Sequence, residues 1–123
     1  MRGVPVRALV VAFLVCWTAN LVSVERVIDG DTFVAELGVW PHVIITETVR
    51  LLGVDTPERA DVGPWQAATA FTKTWLAEAG AVAVTVCKYD SFGRALGRVV
   101  SQTKGELGAA LIQAGHGTVY RGK

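Results

Sequence analysis

The chain has 123 residues, which sets it as one domain rather than two. Its residues are 51% hydrophobic and 19% charged, so a packed core is available. The formal net charge of +1 excludes nucleic-acid binding by bulk charge; any basic footprint is local, with Arg50, Lys88, Arg94 and Arg98 as its candidates and a solvated face as the other reading of the same charges.

Residues 1–19 read as a hydrophobic leader. Arg2 and Arg7 precede an apolar stretch from Ala8 to Trp17, the outline of a secretory signal. The stretch is short for a transmembrane helix, and bulky Trp17 disfavours cleavage after Ala19. An uncleaved anchor, an extra buried strand and a leader introduced by an upstream start codon stay open. Secretion or membrane anchoring is therefore the expected location, and the cytoplasm if the leader is no true signal. With Cys16 assigned to the leader, no Cys16–Cys87 disulfide is expected. Cys87 follows Val84-Thr85-Val86 in an alternating run and reads as a small core hydrophobe. Two cysteines without ligand spacing argue against zinc.

From residue 20 to 123 the pattern is that of a single folded domain. Asn20 to Ile28 reads as a strand, Thr32 to Leu37 as a second, and the β-branched run Val43 to Leu51 as a third. Gly38-Val39-Trp40-Pro41-His42 reads as a turn. Pro64 and Gly80 bracket a helix with Ala68, Phe71, Trp75 and Ala79 on its core face. Ala81 to Cys87 and Gly93 to Ser101 read as strands four and five. Leu107, Ala110, Leu111 and Ala114 mark a second helix, ended by Gly115. Three strands, a helix, two strands and a helix match an α+β fold: a five-stranded OB-fold β-barrel with two packed helices. Another helix-on-sheet α+β arrangement is the alternative.

Two acidic motifs sit where strands give way to turns, Asp29-Gly30-Asp31-Thr32 and Asp55-Thr56-Pro57-Glu58. Strand ends converge in a small barrel, so these carboxylates and Arg50 are positioned to meet. Hard carboxylate oxygens suit Ca²⁺ or Mg²⁺. A carboxylate left over from ligation can handle a water, and an arginine fork can hold a phosphate. Each residue has a plainer reading: Asp29 and Asp31 as turn formers, Glu58 as a surface acid, Arg50 as a cross-strand partner of Glu47 or Glu36, and Arg94 as a turn cation. Asp90 is expected to shape the turn before Gly93. His42 and His116 fall outside the motifs. Trp75 is expected in the core; Trp40 and Trp65 are placed either to stack a base or to be partly buried.

These motifs carry a resemblance to the staphylococcal nuclease (thermonuclease) family. Its bearers are Val27-Ile28-Asp29-Gly30-Asp31-Thr32, Val49 to Glu58, Gly63-Pro64, Ala70-Phe71-Thr72-Lys73, Asp90 with Phe92-Gly93-Arg94-Ala95-Leu96, and Leu111 to Gly115. The resemblance implies one Ca²⁺ held by Asp31, Asp55 and the Thr56 carbonyl. It implies Glu58 orienting or deprotonating water, and Arg50 and Arg94 gripping the scissile phosphate of DNA or RNA to leave 3′-phosphorylated products. Asp29 is then a supporting residue behind the ligands. The family often has Lys-Tyr before its Gly-Arg pair; here Ser91 and Phe92 stand there, so Lys88 or Tyr89 is the candidate substitute. Of the family's paired tyrosines only Tyr120 is available. The hairpin between Asp31 and Arg50 is long, and its tip near Trp40 is expected as an extra substrate lip. No obligate protein partner is indicated and a monomer is expected, with transient membrane contact through the leader. The competing classes are a non-catalytic OB-fold module binding nucleic acid or protein, and a membrane-tethered interaction domain.

Overall fold

The computed structural model describes residues 15–121. The alternating run at the start forms β1 (Trp17–Asp29), which turns at Gly30-Asp31 into β2 (Thr32–Trp40) and then β3 (Val43–Leu51). A two-residue β4 (Val54–Asp55) precedes helix α1 (Val62–Glu78). Strands β5 (Val82–Tyr89) and β6 (Ala95–Ser101) follow, then the short β7 (Gly105–Glu106), helix α2 (Leu107–Gln113) and the short β8 (Thr118–Val119).

Hydrogen bonding orders the main sheet β3-β2-β1-β5-β6-β7, and β3 also pairs with β6. That last pairing closes the five long strands into a barrel. It is parallel and joins Val49, Arg50 and Leu51 to Ala95, Leu96 and Gly97. The sheet closes tightly here. A Cβ on Gly97 would lie 3.1 Å from both Val49 Cγ1 and Val84 Cγ1. The architecture is the five-stranded OB-fold barrel with two helices.

Period-two alternation fills the barrel. Phe33, Ala35 and Leu37 of β2, Val82, Val84 and Val86 of β5, and Ala95 and Val99 of β6 point inward and are buried. Helix α1 adds Ala68 and Trp75 to the inside and its C-cap adds Ala79, with Phe71 half-buried against His116. Helix α2 plugs the barrel with Leu107 and Leu111, both fully buried. Among the described residues, no helix is long and apolar enough to cross a membrane.

Residues Trp17, Thr18 and Ala19 belong to β1 and pair with Val86, Thr85 and Val84 of β5. The boundary drawn at residue 19 thus falls inside a strand, with Ala19 in the core; residues 1–14 of the leader lie outside the described residues. The Trp17–Val86 register puts Cys16 directly across from Cys87, and the two form a disulfide. Cys87 is therefore a cross-link and not a lone core thiol. The hairpin turn is shorter than the expected Gly38 to His42. Strand β2 continues through Gly38-Val39-Trp40, and the turn falls on Pro41-His42, with His42 at φ 65°.

The disulfide spans 71 residues of sequence. Constraining a loop of that size in the unfolded chain contributes about 2–4 kcal/mol. Replacing both Cys16 and Cys87 by Ser is expected to lower the urea midpoint by that equivalent, and a reductant is expected to do the same to the native protein only. Equal midpoints for the native and double-Ser proteins would refute this.

Candidate functional site

The barrel closure decides which residues meet. Arg50 lies opposite Thr32 in the β2–β3 ladder and opposite Leu96 in the β3–β6 ladder. One ladder brings in the Gly30-Asp31 turn, and the other brings in the segment that begins just after Arg94. The Leu51 N–H donates to the Asp31 carbonyl at 2.8 Å, and the Leu52 N–H to the Gly97 carbonyl at 3.0 Å. Residues far apart in sequence are thus fixed to one strand end by backbone bonds.

Arg50 is only 8% exposed. Such a buried cation must be paired and hydrogen-bonded. Its Nη1 donates to the carbonyls of Leu51 (2.8 Å) and Val54 (2.6 Å). Its Nη2 lies 3.2 Å from Asp55 Oδ1 and 3.5 Å from Asp31 Oδ2. The guanidinium also sits 5.5 Å from the Tyr120 ring centroid. Neither Glu47 nor Glu36 takes part: Glu47 accepts from the Tyr89 hydroxyl, and Glu36 from Ser23.

Asp31 is buried, and each of its oxygens is placed. Oδ1 accepts from the Thr32 hydroxyl at 2.7 Å, and Oδ2 from the Thr56 N–H at 2.9 Å. Asp55 is half exposed. Proline at 57 favours an extended Thr56, which holds that N–H against Asp31. The Thr56 hydroxyl oxygen is buried with no hydrogen-bond partner among the described residues. Against one guanidinium stand Asp31 and Asp55, both hard oxygen donors. This donor chemistry, with a spare buried oxygen beside it, fits a hard divalent cation. No group of three or more His, Cys, Asp or Glu among the described residues is arranged to hold an ion. The two carboxylates, a backbone carbonyl and water would have to complete the set. Glu58 is exposed on the loop after β4, its side chain pairing with no described residue; its carbonyl accepts from the Asp61 N–H.

A cleft of about 440 Å³ opens beside this group. Arg50, Arg94, Lys88, Tyr89, Tyr120 and Arg121 all line it, which gives the local basic character that the net charge does not. Arg98 is elsewhere, paired with Glu106 on the outer surface. Phe92, 82% exposed, stands at the cleft beside the Arg94 guanidinium. Asp90 shapes the turn, as expected. Its Oδ1 accepts from the Phe92 and Arg94 N–H groups, and its Oδ2 from Arg94 Nε at 2.7 Å. Partial burial pushes the Asp90 pKa up, but these bonds and the Arg94 charge outweigh it and hold it below the usual carboxylate value.

The structure therefore brings Asp31, Asp55, Thr56 and Arg50 together and places Arg94, Lys88, Tyr89 and Tyr120 on the adjoining cleft. Asp29, beside the turn, accepts at Oδ1 from Trp65 Nε1 at 2.6 Å. Trp65 is half-buried by that bond and does not line the cleft, while Trp75 is in the core. Trp40 does not form a substrate lip. It pairs with Val43 at the end of the β2–β3 ladder opposite Thr32–Arg50, about 25 Å along the strand, and is 75% exposed. Of the two readings the sequence leaves for Trp65, a base-stacking face or partial burial, the structure gives partial burial; Thr72 and the β8 strand are not singled out for the site by sequence. Thr72 donates to the Gly30 carbonyl at 2.6 Å, and β8 pairs Thr118 with Asp55. A polar threonine on the core side of α1 was the available signal; a two-residue strand leaves none.

Residues 48–123 match a protein-family model described as staphylococcal nuclease homologue. The matched span covers Arg50, Asp55, Glu58 and Arg94, and begins downstream of Asp31. No curated protein matches the chain.

Tyr89 supplies a pH test of the cleft. Burial of its hydroxyl, the hydrogen bond to Glu47 and the Glu47 charge push the phenol up to about 12 from 10.0. A folded-state value above the unfolded one means that this contact stabilises the fold below pH 10 and that its contribution fades between pH 10 and 12. In a Tyr120→Phe background, phenolate absorbance is expected to rise near pH 12, and Glu47→Gln to move the rise towards 10. An unmoved midpoint would contradict the contact.

Proposed function

The chain belongs to the staphylococcal nuclease homologue family, and from that premise we propose that it is a Ca²⁺-dependent nuclease that hydrolyses DNA or RNA phosphodiester bonds. The observation that carries the reading is the buried Arg50 guanidinium between Asp31 and Asp55, at the wall of a cleft shared with Arg94.

In this reading Asp31, Asp55 and the Thr56 carbonyl hold one Ca²⁺. When bound, the cation supplies charge neutralisation for a polyanionic substrate and for the transition state. The chain's own residues do the rest. The Arg94 guanidinium swings from Asp90 to the phosphodiester, whose two oxygens match its planar fork. Arg50 is already fixed by two carbonyls and two carboxylates, so it presents its remaining N–H donors without reorganisation. Glu58, exposed and unpaired among the described side chains, accepts the proton of the attacking water. The water oxygen bonds to phosphorus as the bond to the 5′-oxygen breaks, and that oxygen takes a proton from solvent, which leaves a 3′-phosphate on one product and a 5′-hydroxyl on the other. Lys88, Tyr89 and Tyr120 line the cleft as contacts for the remainder of the nucleotide.

The Cys16–Cys87 bond supports an oxidising location, so the protein is proposed to work as a secreted or membrane-anchored enzyme.

Purified protein is expected to release acid-soluble nucleotides from labelled DNA or RNA with Ca²⁺ and to stop when a chelator is added. Glu58→Ala and Arg94→Ala are each expected to lower kcat about 10²–10³-fold with the fold intact. Wild-type cleavage rates in both variants would sink the assigned roles. Nucleic-acid binding without any cleavage would make the chain a non-catalytic OB-fold module.

A further inference from the structure

Helix α1 makes three contacts to the turn that carries Asp31. Trp65 Nε1 donates to Asp29 Oδ1 at 2.6 Å, on the N-terminal side of the turn. The Thr72 hydroxyl, fully buried, donates to the Gly30 carbonyl at 2.6 Å. Between them Ala68 packs so closely that a Cβ on Gly30 would lie 2.9 Å from Ala68 Cβ. Residues 65, 68 and 72 recur at helical spacing, so one stripe of α1 makes all three contacts. The far side of the turn is held by Thr56, whose methyl and hydroxyl would both lie 3.1 Å from that Cβ and whose N–H binds Asp31 Oδ2. Arg59 covers the Trp65 ring, with its guanidinium carbon 5.1 Å from the ring centroid.

We propose that Trp65 and Thr72 are positioning residues: through Asp29 and Gly30 they fix where the Asp31 carboxylate points, and so set the affinity of the site for its divalent cation. Neither side chain hydrogen-bonds Asp31 itself. The physical basis is general. A ligand on a two-residue turn gains little from local structure, and partners behind a ligand commonly govern metal affinity about 10–100-fold. A hairpin turn of glycine and aspartate is otherwise free to pivot about Gly30. Here a helix packed on the barrel removes that freedom before any ion arrives.

The inference rests on the cation-dependent reading above, and one experiment separates the two. Trp65→Phe keeps an aromatic ring and loses the N–H; Thr72→Val keeps the volume and loses the hydroxyl. Each variant is checked for folding by circular dichroism and thermal melting. Hydrogen exchange of the Thr56 amide, which donates to Asp31, reads the carboxylate position without any ion. Titration calorimetry with Ca²⁺ alone reads the affinity. Both variants are expected to exchange the Thr56 amide about tenfold faster than wild type. They are expected to bind Ca²⁺ about tenfold more weakly, with kcat at saturating Ca²⁺ within twofold of wild type. Unchanged Thr56 exchange in folded variants overturns the inference, whatever the calorimetry gives. Faster exchange with unchanged Ca²⁺ affinity overturns it too, because the turn would then move without consequence for the ion. Wild-type protein that binds no divalent cation removes the nuclease reading and the affinity claim together, leaving the Thr56 amide to report the mechanical link alone.

Discussion

One buried guanidinium organises this end of the barrel. Arg50 answers two main-chain carbonyls of the Leu51–Val54 turn and two carboxylates from separate segments. It thereby shapes the loop on which Asp55 and Thr56 sit, while drawing Asp31 towards them. Removing the cation would leave the Asp31 carboxylate buried beside unanswered carbonyls, a change of order 3–5 kcal/mol. The same side chain is therefore a structural keystone and the wall of the cleft.

Its position follows from how the sheet closes. Antiparallel hairpins would place β3 at an edge. The parallel pairing to β6 instead seals the barrel and brings the Asp90–Arg94 turn beside Arg50. The acidic and basic halves of the site thus come from opposite flanks of one strand. Asp31 arrives through the β2 ladder and Arg94 through the β6 ladder. Balance matters here. Asp31 and Asp55 share one guanidinium, Arg94 is engaged with Asp90, and Glu58 is left to solvent. In the proposed function the acidic side takes the dication and the basic side the phosphate.

The long strands, both helices and the acidic motifs were legible in the sequence because period-two and helical patterns, together with Gly and Pro punctuation, encode them locally. What was not legible depends on pairing. Cys16 was read with the apolar run before it, and only the Trp17–Val86 register shows that it faces Cys87. Trp40 looked close to the site in sequence but lies at the other end of a ladder that runs straight through Gly38. Asp29 resembles Asp31 in type and spacing, and the indole N–H from α1 that it accepts is a tertiary contact that no local pattern encodes. The β4–β8 bridge, only two residues long, has no period to detect.

The barrel seam between β3 and β6 is three residue pairs long, and Arg50 is the middle one. A parallel seam so short has no hairpin to tether it, so it holds only as part of the closed barrel. Parting it would carry Asp31 and Arg94 away from each other while the β1–β2 and β5–β6 ladders stayed intact. The nearness of Asp31 to Arg94 thus rests on three residue pairs and not on either hairpin.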